Sequence, residues 1–156
     1  MRVWSMLSAV LVTTGCPMAG TASEPAAAPT VQSPDSRFVS DAVLQTRYAG
    51  PPSMFVDVGG VSIHLRDEGQ GPALVLINGH LGSLHMWDAW IPALTPHFRV
   101  IRIDYPPYGL SGPDPAGRYS NERAVALVAG LADQLGLKRF HIGGTSNGAL
   151  VALFFA

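Results

Sequence analysis

The chain has 156 residues, with ten basic and eleven acidic side chains, a net charge of −1 and a hydrophobic content of 47%. That balance, without any run of basic residues, leaves no electrostatic footprint for nucleic acid, while the apolar content suffices for one globular core. Cys16 is the only cysteine, so no disulfide framework staples the fold.

Arg2 supplies a positive charge, residues 3–12 are mostly apolar, and Thr13-Thr14-Gly15-Cys16 follows. Residues 1–20 therefore read as a secretory signal of lipoprotein layout, with Cys16 where a bacterial lipoprotein is cleaved and lipidated. The apolar run is too short to span a bilayer. Thr13 stands where leucine is usual, and an ordinary signal peptide cleaved among residues 19–23 is the competing reading. Both place the mature protein outside the cytoplasm, secreted or periplasmic, and lipidated Cys16 would add a membrane anchor. Residues 21–53 form the expected linker and lead-in. Of these, 21–36 are dense in Ala, Pro, Ser and Thr, as a tether would be, and 38–44 fit either a short helix leaning on a sheet or irregular chain.

The domain is expected over residues 54–156. Two alternating runs, 54–58 and 61–66, flank Gly59-Gly60, the pair that supplies the positive backbone angles of a two-residue hairpin turn. Residues 73–77 read as a buried strand, followed by Asn78-Gly79-His80-Leu81-Gly82-Ser83 and a Trp-rich helical stretch, 84–94. Residues 99–104 read as the next strand, closed by the breaker-rich segment 105–113. Ser120 can cap a helix with Ala124, Val128, Leu131 and Leu135 on one face, ended by Gly136. Alternating strands and helices imply a parallel sheet covered by helices, an α/β domain.

After the apolar run Phe140-His141-Ile142-Gly143 comes Gly144-Thr145-Ser146-Asn147-Gly148. A serine between two glycines at a strand-to-helix turn is how a hydroxyl is exposed for attack. Side chains at Gly144 and Gly148 would collide with neighbouring backbone, and the helix starting near Asn147 aims its free N–H groups at an oxyanion. Ser146 is thus the candidate nucleophile and the Asn147 N–H a candidate oxyanion donor. Alone, the pentapeptide also fits an ordinary Gly-rich loop; several such motifs in register do not arise so readily by chance.

Taken together, these parts resemble the α/β-hydrolase superfamily over residues 54–156, in its N-terminal portion: an opening antiparallel hairpin, then parallel strands with flanking helices. The resemblance implies that the loop after the third strand, usually His-Gly-X, is Asn78-Gly79-His80 here, so that the His80 main-chain N–H is the second oxyanion donor. Asn78, in place of histidine, shapes the loop through backbone hydrogen bonds. The usual Asp-X-Pro-Gly-X-Gly-X-Ser is matched by Asp104-Tyr105-Pro106-Pro107-Tyr108-Gly109-Leu110-Ser111. Pro107 replaces a glycine and sends the loop along a different path, and Asp104 is a loop organiser rather than the triad acid. In this superfamily an aspartate nucleophile marks dehalogenases and epoxide hydrolases, whereas serine implies acyl chemistry on a small ester, amide or related compound. That route requires no cofactor or metal.

The resemblance also implies that the triad acid and histidine follow the nucleophile, yet residues 147–156 contain neither. All five histidines, at 64, 80, 85, 97 and 141, precede Ser146; His85 is kept as a candidate substrate contact, and a zinc site from His80 and His85 is disfavoured by their spacing. The expectation is the first half of a longer serine hydrolase, catalytically incomplete by itself. The alternatives are a non-catalytic binding module on the same core, or an acyltransferase, C–C hydrolase or cofactor-free haloperoxidase. Residues 150–155 read as a buried helix in mid-course.

Overall fold

The structure, a computed structural model, describes residues 39–156; the expected signal segment, Cys16 and the 21–36 tether lie outside the described residues. Strands β1 (Ser53–Val58) and β2 (Val61–Glu68) form an antiparallel hairpin with Val58 opposite Val61. Its turn is Gly59-Gly60, with φ of 58° and 85°, the left-handed region that glycine enters without steric cost. Strands β3 (Ala73–Ile77), β4 (Arg99–Ile103) and β5 (Phe140–Gly144) complete a five-stranded sheet of order β1-β2-β4-β3-β5. β3 is parallel to both of its neighbours, and β2 runs antiparallel to β4. The α/β architecture expected from the alternation of strands and helices is therefore present.

Period-2 alternation sends the side chains of each strand to opposite faces. On one face Val61, Ile63, Leu65, Val75, Ile77, Ile101 and Ile103 pack against Ala124, Leu127, Val128 and Leu131 of α3 (Asn121–Gln134) and Val151 of α4 (Asn147–Phe155). Each fully buried Leu or Ile there contributes roughly 1.5–3 kcal/mol. On the other face Leu76, Val100 and Trp87 form a smaller core with Leu74, Ile91, Leu94 and Phe98. The Trp-rich stretch is not one regular helix: Leu84–Trp90 is a 3₁₀ helix that runs into the short α2 (Ile91–Leu94). Because β3, β4 and β5 are parallel, the loops leaving their carboxyl ends gather along one edge of the sheet, where ligands of open α/β sheets bind.

The segment before the hairpin contains a helix, α1 (Asp41–Tyr48), but none of its residues is buried, so it does not lean on the sheet core. Its C-terminal end touches other parts, with Arg66 donating to the Tyr48 carbonyl at 3.2 Å. In α4, read as a buried helix, only Gly148, Val151 and Ala152 are buried, whereas Leu150, Leu153 and Phe154 are exposed; β5, on which α4 packs, is half-buried throughout. The i, i+3, i+4 spacing puts those three apolar side chains on one outward face. No described helix is long and apolar enough to cross a membrane.

The hairpin and α3 are also joined by polar contacts. Ser120 caps α3, its side chain accepting from the Arg123 N–H, and Arg123 reaches back to donate to the Gly59 carbonyl at 3.0 Å. The Arg123 Nε also donates to buried Asp114 at 2.6 Å, and the Ala116 N–H donates to the same carboxylate at 2.8 Å. Burial pushes the Asp114 pKa up, but the hydrogen bonds from Arg123, Ala116 and Arg118 outweigh it and hold the group below 3.8. A depressed carboxylate contributes stability that is fully present above its unfolded value and is lost as pH falls through the lowered folded value. Asp114→Asn is therefore expected to lower the melting temperature at neutral pH and to flatten its decline below about pH 4. Parallel pH-melting curves for the two proteins would remove Asp114 from the acid response.

Candidate active site

Ser146 sits at the junction of β5 and α4 with φ 49° and ψ −122°, and its side chain is exposed. A non-glycine residue in this region carries about 1–3 kcal/mol of strain, which persists only where surrounding structure imposes it. The imposing contacts are visible. The Thr145 N–H donates to the Ile77 carbonyl at 3.2 Å, the Gly148 N–H to the Thr145 carbonyl at 2.8 Å, and the Ser146 carbonyl accepts from Ala149 and Leu150 at 2.9 and 3.1 Å. A Cβ on Gly148 would collide with the Ile77 carbonyl and lie 2.6 Å from the Asn78 oxygen, and one on Gly144 would meet the Gly148 backbone. Both glycines therefore permit the close crossing of strand and helix that projects Ser146 outward.

The 78–83 loop lies directly against this turn. A Cβ on Gly79 would be 3.1 Å from the Ser146 Cβ and 3.2 Å from the Thr145 oxygen, tighter than ordinary contact, so a side chain there would press the loop and the turn apart by a few tenths of an ångström. Asn78 is fully buried and acts on backbone as its chemistry suggests: Oδ1 accepts from the Tyr105 N–H at 2.6 Å, and Nδ2 donates to the Gly79 carbonyl at 2.9 Å. His80 follows, exposed, with its Nδ1 2.7 Å from the Tyr108 hydroxyl. Asn147 opens α4 beside Ser146, where a first-turn N–H has no intrahelical acceptor. Gly79, His80, Ser146 and Asn147 are thus neighbours in space, although nearly 70 residues separate the two segments.

Asp104, at the end of β4, is a buried hub. Its Oδ1 accepts from the Leu84 N–H at 2.6 Å, and its Oδ2 from the Leu110 N–H and His64 Nδ1, both at 2.7 Å. The Ser111 hydroxyl donates to the Asp104 carbonyl at 2.7 Å and accepts from the His64 N–H at 2.9 Å. The hub joins β2, the start of the 3₁₀ helix and the 105–111 loop. His64, as the partner of Asp104, was not legible from its place in a hairpin strand, because the two are 40 residues apart and meet only through β2–β4 pairing. The Pro106–Pro107 peptide is cis, and Pro107 is exposed.

His85 shares a cavity with the Asp104–His64 pair rather than with the Ser146 turn. Its Nδ1 is 3.1 Å from Asp88 Oδ2, its ring lies 6.0 Å from Tyr48, and it lines a cavity of about 570 Å³ with Leu44, Tyr48, Ser83 and Leu110, among others. Ser146 is not among the lining residues, so the structure does not place His85 beside the turn. Burial raises the Asp88 pKa, but hydrogen bonds from Arg102 and His85 prevail and leave it lowered. His97 and His141 also lie outside the cluster, and His141 packs edge-on against Phe98 at 5.9 Å.

Comparison with known proteins agrees with the fold. A fluoroacetate dehalogenase from Burkholderia is 35% identical over 106 residues, covering 65% of this chain and 34% of that protein. A 2-hydroxy-6-oxo-2,4-heptadienoate hydrolase from Pseudomonas putida is 35% identical over 101 residues, covering 63% of this chain and 37% of that protein. The crystal structure of a hydrolase from Pseudomonas aeruginosa superposes with a TM-score of 0.63 at 38% identity, covering 67% of this chain and 40% of that one. The chain thus spans about a third of the length of these curated relatives. A family model described as the alpha/beta hydrolase fold matches residues 72–156, from the edge of β3 through the Ser146 turn into α4, and the chain belongs to that family.

Proposed function

We propose that Ser146 is the nucleophile of a serine hydrolase that cleaves small esters, amides or related acyl compounds through an acyl-enzyme. Ser146 Oγ attacks the acyl carbon, the carbonyl oxygen becomes an oxyanion held by the Asn147 and His80 main-chain N–H groups, and collapse expels the alcohol or amine. Water then attacks the ester carbon and regenerates the hydroxyl. Among the described residues no histidine is hydrogen-bonded to Ser146, and the His80 ring is turned to Tyr108. The proposal therefore assigns the acid and base to residues beyond these 156, as the one-third coverage of relatives supports.

The observation that carries the reading is the exposed Ser146 at φ 49°, with Gly79 of the facing loop against its Cβ. A nucleophile, its strained turn and a candidate oxyanion site converge on one point. The relatives' names span dehalogenation and hydrolysis, so they support a hydrolase, while the serine supports acyl transfer to water among those chemistries. A fluorophosphonate probe added to the active full-length protein is expected to stop turnover and to add its mass to the peptide containing Ser146. An active protein that ignores the probe, or carries it elsewhere, would overturn the assignment.

A further inference from the structure

The segment expected to supply an oxyanion donor is a tight turn under strain. The Gly82 N–H donates to the Gly79 carbonyl at 3.1 Å, and Leu81, inside the turn, has φ 56° and is 79% exposed. A branched-chain residue in the left-handed region, with its side chain in solvent, contributes nothing that would hold this conformation. The restraint must come from elsewhere. On the N-terminal side it is the Asn78 amide, bonded to Tyr105 and Gly79. Within the turn, just before Leu81, it is the His80 ring.

That ring is gripped by Tyr108. The phenol oxygen is 2.7 Å from His80 Nδ1, and the two rings meet edge-on with centroids 4.8 Å apart. The phenol O–H donates to Nδ1 when the imidazole carries its proton on Nε2. Tyr108 is itself well fixed. Its N–H donates to the Tyr105 carbonyl at 2.8 Å, its carbonyl accepts from Ser111 at 3.2 Å, and Ser111 and Leu110 belong to the Asp104 hub. Hydrogen bonds from Leu110 to the buried Asp104 carboxylate and from Ser111 to the Asp104 and Tyr108 carbonyls thus fix the 105–111 loop, and Tyr108 carries that anchorage to the ring of His80, which follows Gly79 in the loop against Ser146.

We propose that Tyr108 is a positioning residue for the oxyanion hole, its hydroxyl holding the His80 peptide in place through the imidazole. The proposal rests on reading Ser146 as nucleophile and the His80 N–H as oxyanion donor. Loss of an oxyanion donor costs about 10²- to 10³-fold in kcat, and a donor that is retained but released should cost part of that.

The test is steady-state hydrolysis of p-nitrophenyl acetate by the full-length protein and by Tyr108→Phe, His80→Ala and the double variant. Phenylalanine keeps the ring contact and removes only the hydroxyl; alanine keeps the main-chain N–H and removes its tether. The expected result is a roughly tenfold or greater fall in kcat for each single variant, with KM within about twofold, because the lost interaction acts on the transition state. The double variant should be no slower than the worse single one, since both changes cut the same link. A Tyr108→Phe kcat within twofold of the parent, or losses that multiply in the double variant, would overturn the proposal. Ser146→Ala, run alongside, separates the two levels. If it retains activity, the underlying nucleophile assignment fails; if it is dead while Tyr108→Phe is unaffected, only the positioning role fails.

Discussion

Ser146→Ala is expected to reduce kcat of the full-length protein by roughly 10⁴-fold or more while leaving its melting temperature within about a degree. The two halves of that expectation have different physical origins. Alanine retains the Cβ against which Gly79 packs, and it meets the same backbone strain at φ 49° that serine already bears, so the fold should not register the change. On the proposed mechanism the attacking oxygen, however, is gone, and with it the covalent route. Residual turnover would reflect only binding and oxyanion stabilisation of an attack by water. Parallel measurement of p-nitrophenyl acetate turnover and thermal denaturation checks both halves. A variant that keeps a tenth of the parental kcat would show that Ser146 carries no covalent step. A large loss of stability would show instead that its hydroxyl has a structural partner.

Asp104→Asn, unlike Ser146→Ala, is expected to lower stability, by about 3 kcal/mol or more. The carboxylate accepts from Leu84, Leu110 and His64 in a fully buried site. An amide of the same shape offers one acceptor oxygen and turns an NH₂ group toward donors, leaving at least one N–H without a partner. Each such orphan costs about 1–3 kcal/mol, and the two facing donors repel as well. Urea denaturation is the appropriate measurement, since a shift in midpoint at constant slope isolates stability from denatured-state effects. A midpoint within experimental scatter of the parent would mean that the hub is dispensable. Activity should fall too, because the 105–111 loop carrying Tyr108 hangs on this carboxylate.

Much of the architecture was legible because it rests on local chemistry. Gly59-Gly60 between alternating runs marked the hairpin, and the observed strands extend it by a residue or two at its outer ends. The apolar run at 73–77 is β3, and the Ser120 cap with its apolar stripe is α3. The glycines at 144 and 148 announced a close crossing of backbones, and both face main-chain atoms that a Cβ would strike. Where the reading stopped short, the missing information was tertiary. The Trp-rich stretch 84–94 is helical, but which kind of helix was not legible: the Leu84 N–H is held by the Asp104 carboxylate, Trp87 lies in the smaller core, and a 3₁₀ helix precedes α2. The uniform hydrophobicity of α4 suggested burial all round, whereas one of its faces is open among the described residues.

By itself, then, the sequence determined the order of strands and helices, the strained serine turn and the family resemblance, since these depend on periodicity, caps and glycine positions within short windows. Only the tertiary structure decided that Gly79 would rest on the Ser146 Cβ, that His64 would close on Asp104 and that Tyr108 would take the His80 ring. Each of those contacts joins segments some 28 to 67 residues apart. Their partners are chosen by strand order and loop path, which no local pattern of residues encodes.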